Sequence, residues 1–216
     1  GPAGWYGLLG GLSCGGLAWA QHHSWVAGGR CSELLRTESR AALLDTAITG
    51  GTGGITLANT KVINAGSGLI TLDAGGGAVN LGTGTLQTTN ATASAVTISN
   101  ATTVALGNVA LNGGGTLNVT QSGAGTQTAA TVISGTSGKL VMAGTGTLTL
   151  SAANTYTGGS TIKSGTLAAT TSASAFGTGT ITIGDTSGSA NATLSGGLAG
   201  TFTNAISVAS GNTGTA

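Results

Sequence analysis

The chain has 216 residues, of which 42 are glycine, with 5% charged and 3% aromatic side chains and a formal net charge of +1. So few charges exclude the clustered Lys and Arg that nucleic acid binding needs. They do not imply disorder, because Ile, Leu and Val recur at strand-like spacing and a near-neutral chain has little self-repulsion to hold it open.

Residues 1–45 differ from the rest. All three tryptophans (Trp5, Trp19, Trp25), both histidines (His22, His23), both cysteines (Cys14, Cys31) and Arg30, Arg36 and Arg40 precede Thr46. The apolar run from Trp5 to Ala20 ends in Ala18-Trp19-Ala20, a small-x-small pattern that a signal peptidase can cut, here before Gln21. It is too short and Gly-rich for a membrane span, and no basic region precedes it. Between Cys31 and Ala47, residues Leu34, Leu35, Ala41, Ala42, Leu43 and Leu44 have the spacing of one short amphipathic helix, with Ser32 as its cap. Two readings of this leader stay open: a partly helical cap on the following fold, or a poorly ordered or cleaved segment. His22 and His23 beside Cys14 and Cys31 lack the spacing of zinc motifs, so no metal ligand is assigned to them.

From Thr46 onward one motif recurs. Gly51-Thr-Gly-Gly-Ile55-Thr-Leu57, Gly82-Thr-Gly-Thr-Leu86-Gln-Thr88, Gly113-Gly-Gly-Thr-Leu117-Asn-Val119, Gly144-Thr-Gly-Thr-Leu148-Thr-Leu150 and Gly177-Thr-Gly-Thr-Ile181-Thr-Ile183 start 31, 31, 31 and 33 residues apart. Simple Gly/Thr bias does not readily give that interval. Between the copies lie further short pieces, among them Leu69–Leu72, Val79–Leu81, Val96–Ile98, Val104–Leu106, Val109–Leu111, Thr131–Ile133, Leu140–Met142, Ser160–Ile162 and Gly165–Leu167. Each alternates inward and outward side chains, and Gly, Asn, Ser or Asp separates it from the next.

Strands this short do not make independent hairpins with a core. They can stack as parallel coils about 4.8 Å apart, with aliphatic ladders inside and Thr or Asn ladders outside. The expected fold is therefore all-β, a parallel β-helix over residues 46–216. About three strands per 31-residue period suit one triangular coil. A coil of twenty-odd residues, out of step with the motif, is the other possibility. Strict repetition and the lack of paired hairpin turns weigh against an antiparallel sandwich.

The body offers little chemistry. No histidine follows His23, which leaves no Ser-His-Asp arrangement. Asp73 and Asp185 are the only carboxylates after Asp45, and a solenoid holds them far apart along its axis. Asp73 near Gly75–Gly77 lacks the recurring aspartates of a calcium roll, and no G-x-G triplet leads into a helix or a Lys-Ser/Thr pair. The pairs Thr83/Thr85, Thr145/Thr147 and Thr178/Thr180 follow the period and read as outward strand faces rather than an ice-binding array. The expectation is a protein that is not an enzyme, with no catalytic, cofactor-binding or metal-binding residue.

Between Gly144 and Gly184 the pieces GTLTLSAANTYTGGSTI, KSGTL and FGTGTITI resemble, in order, the autotransporter-associated β-strand repeat, also called the passenger-associated transport repeat, of secreted bacterial surface proteins. Asn154–Gly159 matches the central ANTYTGGT-like core, with Ser160 where Thr is common. The resemblance implies a type V passenger whose β-helix folds outside the outer membrane, supports secretion and presents a surface stalk. A C-terminal outer-membrane translocator barrel would be its partner. The alternative is an adhesin-like module that passively binds host or cell-surface glycans. Either places the protein outside the cell or on the bacterial surface, and the cysteine-free body fits a chain threaded unfolded through a pore. Tyr156 is expected to pack against a neighbouring coil in a structural role.

Overall fold

The computed structural model describes residues 45–57 and 61–216, with strand backbone also at 19–20 and 24–26. Among the described residues there is no helix. The chain winds through three faces in turn. The first carries β1 (Trp19–Ala20), β2 (Ser24–Val26), β3 (Thr46–Thr49), β6 (Ile70–Asp73), β9 (Val96–Ala101), β12 (Thr116–Gln121), β15 (Lys139–Ala143), β17 (Ser160–Ile162), β19 (Ile181–Ile183) and β21 (Ile206–Val208). The second carries β4 (Ile55–Thr56), β7 (Val79–Asn80), β10 (Val104–Leu106), β13 (Ala124–Gln127), β16 (Thr147–Leu150), β18 (Gly165–Ala169) and β20 (Ala192–Gly196). The third carries β5 (Val62–Asn64), β8 (Thr85–Thr88), β11 (Asn108–Leu111) and β14 (Ile133–Ser134). Apart from the antiparallel β1–β2 pair, neighbouring strands run parallel, each on the strand one coil before it. This is a parallel β-solenoid of about seven turns.

Like residues superpose because the pleat alternates and the coils stack in register. On the first face Ile70, Val96, Leu117, Leu140, Ser160 and Ile181 are successive Cα partners, and all are buried. Two residues on, Leu72, Ile98, Val119, Met142 and Ile162 form a second inward row. The outward positions between them are Thr71, Thr97, Asn118, Val141, Thr161 and Thr182. Three corners of the first coils follow an Asx-x-Gly pattern. The side-chain oxygens of Asn64, Asp73 and Asn80 accept the backbone N–H of Gly66, Gly75 and Gly82 at 2.9, 2.9 and 3.0 Å. Each of those glycines has φ between 53° and 59°, a left-handed conformation that glycine takes without steric cost.

The coil is shorter than the motif interval. From Thr46 to Ile206 the first-face partners are offset by 24, 26, 21, 23, 20, 21 and 25 residues, a mean of about 23. The five motif copies therefore land on different faces: Ile55 on the second, Leu86 on the third, Leu117 on the first, Leu148 on the second and Ile181 on the first. An interval of 31 residues carries the chain one coil and one face onward. The expectation of one coil per 31 residues fails because Gly-x-Gly-x-Leu encodes a single corner and strand, which any face accepts. The twenty-odd-residue coil is the one adopted.

The leader readings, from the apolar run after Trp5 to the helix after Cys31, lie outside the described residues except at their ends. Trp19 and Ala20 are strand β1, and Thr46 and Ala47 open strand β3.

Candidate functional site

The third face changes character after Ser134. Among the described residues four coils carry a strand there; in the next the chain passes through Ser151–Gly158 without one, while strands continue on the other two faces. Backbone bonding to the coil below persists, with the Thr155 N–H donating to the Ile133 carbonyl at 2.9 Å and Thr157 to Gly135 at 3.3 Å. The backbone N–H of Ile133 is left facing a side chain. It donates to Asn154 Oδ1 at 2.8 Å, and Asn154 Nδ2 donates onward to the Ala175 carbonyl of the coil above at 2.7 Å. One amide thus replaces a missing ladder group across three coils.

Asn154 has a partner on the second face. Gln127, at the end of β13, donates from Nε2 to Asn154 Oδ1 at 2.7 Å and accepts from Asn154 Nδ2 at 3.0 Å. Gln127 Nε2 also reaches the Thr131 carbonyl at 3.2 Å, and Thr131 Oγ1 donates to the carbonyls of Leu106 and Thr128 at 3.3 and 3.2 Å. All three side chains are buried. In a core that is mostly aliphatic, an unpaired amide costs on the order of 1–3 kcal/mol, so the pairing is a requirement of the site.

Two residues on, Tyr156 fills the interior. Its hydroxyl lies 2.6 Å from Ser160 Oγ, and both are buried. Ser160 interrupts the aliphatic first-face row between Leu140 and Ile181; the small side chain leaves space and supplies the polar partner that a buried phenol needs. Burial pushes the Tyr156 phenol well above its ordinary pKa, and the Ser160 hydrogen bond opposes the shift in part. In the coils above, Phe176 is buried and its ring centroid lies 5.0 Å from that of Phe202. The structural role expected of Tyr156 accords with this burial and this partner.

The titratable groups stay apart. Asp73 ends β6 and Asp185 lies just past β19, five first-face steps apart, which is about 24 Å of coil stacking. Asp73 Oδ1 accepts from Gly75 N and from Asn100 Nδ2 at 2.9 and 3.0 Å. Asp185 faces Lys163 at 3.8 Å in a solvent-exposed pair, an arrangement of little energetic weight. Among the described residues no group of three His, Cys, Asp or Glu could hold a metal ion; His22, His23, Cys14 and Cys31 lie outside them. The recurring Thr pairs fall on three different faces, with Thr85 in β8, Thr147 in β16 and Thr180 before β19, and so form no common array. A cavity of about 450 Å³ near the last coil is lined by Ile183, Ala192, Leu194 and Thr215 among others.

What distinguishes this solenoid is therefore the coil that holds Asn154, Tyr156 and Ser160. Residues 140–169 match the family model of the passenger-associated-transport-repeat. The chain carries a passenger-associated transport repeat. No curated protein and no solved structure gives a significant match. The transport repeat spans β15, β16, β17 and β18 and the strandless crossing between them. It is one full coil with the first-face and second-face strands of the next, and the FGTGTITI piece begins after it. Within its Asn-Thr-Tyr core, Asn154 and Tyr156 turn inward and Thr155 faces out. Sequence reasoning located Tyr156 but missed Gln127, which lies outside the repeat and carries no motif of its own. The one available signal was a polar residue at the inward position of an alternating strand.

Proposed function

We propose that the chain is a structural segment of an autotransporter passenger, secreted or held at the bacterial surface, and that it acts by folding rather than by catalysis. Folding outside the outer membrane would support secretion, and the finished solenoid would present a surface stalk. The observation that carries this reading is the transport repeat at residues 140–169 set within a stacked parallel β-solenoid. Each added coil buries a new rung of the aliphatic ladders on a preformed template, so free energy accrues coil by coil, as in other one-dimensional repeats. Such accrual disfavours backsliding of an emerging chain where no nucleotide drives export. The partner in this scheme is an outer-membrane translocator barrel. The test joins residues 46–216 to such a barrel and compares surface yield with the same barrel carrying an unstructured polar insert of equal length. Greater yield from the solenoid supports the reading; equal yield rejects it.

A second reading, a passive glycan-binding module, draws support from the uncharged hydroxyl face around β16, β18 and β20. There Thr147, Thr166 and Thr193 are successive partners, a surface suited to hydrogen-bonding neutral sugars. A glycan array probed with folded protein tests it, and an array without hits rejects it.

A further inference from the structure

We propose that the buried Gln127–Asn154 pair is a register key, which selects one stacking of coils from several that the low-complexity ladders would accept. The difficulty it answers is visible in the sequence. Motif copies land on any face, and the inward rows are mostly Leu, Ile and Val two residues apart, as at Leu148 and Leu150 of β16. Sliding β16 by two residues along β13 would keep its Leu side chains inward and its Thr side chains outward. Gly-rich strands with such patterning specify register weakly. Apolar contacts alone discriminate poorly between these frames.

The amide pair does discriminate. In the native frame Gln127 is opposite Leu150, and the short crossing from Leu150 delivers Asn154 to hydrogen-bonding distance. There Asn154 completes four bonds: two with Gln127, one from Ile133 N and one to the Ala175 carbonyl. A two-residue slip moves β16 by about 6.6 Å along the strand, well beyond the reach of these bonds. It would leave the Asn154 amide, Gln127 Oε1, the Ile133 N–H and the Ala175 carbonyl without these bonds, Gln127 Nε2 keeping only the Thr131 carbonyl. A fully satisfied buried polar pair excludes other frames by the cost of breaking it, and setting register is the best-attested use of such groups. The proposal concerns folding alone and does not depend on the passenger reading.

Disulfide trapping reads the register directly. In a Cys14→Ser/Cys31→Ser background, Thr126→Cys/Thr149→Cys reports the native frame, since Thr126 and Thr149 are Cα partners. Thr126→Cys/Thr147→Cys reports a slip of two. Cα atoms more than about 7 Å apart do not cross-link, which silences the second reporter in the native frame. Replacing the key by Gln127→Leu/Asn154→Leu is expected to raise the slipped cross-link at least several-fold while the solenoid still folds by circular dichroism. A folded variant that forms only the native cross-link overturns the proposal. Should the leucine pair not fold, Gln127→Ala/Asn154→Ala, which leaves space instead of adding bulk, is read with the same reporters. The same slipped cross-link supports the register key. Failure of both pairs to fold overturns it, because the amides would then be required for stability in any frame.

Discussion

Tyr156 and Ser160 meet hydroxyl to hydroxyl at 2.6 Å inside a core built of aliphatic rows. The phenol is neutral there, and its folded-state pKa lies above the ordinary value of 10.0. The sign of the consequence is set by where the unfolded chain titrates. The contribution of the neutral phenol is complete below that ordinary value and is lost as pH rises toward the folded-state one, because only the unfolded chain then releases the proton. Stability should fall by about 1.4 kcal/mol per pH unit once the pH exceeds it. Tyr156→Phe should abolish that decline, at a cost of about 1 kcal/mol at neutral pH for the lost hydrogen bond. Urea unfolding of both proteins at neutral and strongly alkaline pH measures the two effects separately.

Gly177 sits above the same tyrosine. Its φ is 64°, and a Cβ at this position would overlap the Tyr156 carbonyl. Gly177→Ala therefore meets both a disfavoured backbone conformation and a backbone atom that cannot swing away. A loss of about 2–4 kcal/mol is expected. Gly53, which has open space around its would-be Cβ and no positive φ, should accept alanine within about 0.5 kcal/mol. Thermal unfolding of the two variants side by side checks the contrast.

Gln121 and Gly125 give a prediction whose sign reverses. A Cβ on Gly125 would overlap the buried amide of Gln121, whose Nε2 donates to the Thr147 carbonyl at 2.9 Å. Gly125→Ala alone should displace that amide and cost about 1 kcal/mol. In a Gln121→Ala background the obstruction is gone, and the same change should stabilise by about 0.4–1 kcal/mol through the unfolded chain. A double-mutant cycle by chemical denaturation measures the coupling; additive effects would refute the packing relationship.

Much of this architecture is legible in the residues. Leu69–Leu72, Val96–Ile98 and Leu140–Met142 announce strands by alternation alone, and each lies on the first face. Strand β13 does not announce itself, because its inward residues are Gly125 and Gln127, neither of which reads as core. The coil length was hidden for a different reason. Motif spacing counts strands, and only the parallel partners, such as Leu117 with Leu140, tell how many strands close a turn. Asn154 was visible as part of a repeat core, but its role depends on Gln127, 27 residues earlier, and no local pattern links the two.

Ile181 and Ile206 are partners in one ladder and should nonetheless respond differently to the same substitution. Ile181 is fully buried between coils, whereas Ile206, on the last strand of the first face, is 60% exposed. Ladder position gives them the same backbone and the same pleat direction, so the difference isolates burial. Ile181→Thr removes apolar surface from the core and buries a hydroxyl, for an expected loss of about 2–3 kcal/mol. Ile206→Thr keeps a β-branched side chain suited to a strand and exposes less apolar surface, so it should change stability by under about 0.5 kcal/mol. Guanidinium unfolding of the two variants decides the matter. Equal losses would mean that Ile206 is covered in solution by something beyond its own coil.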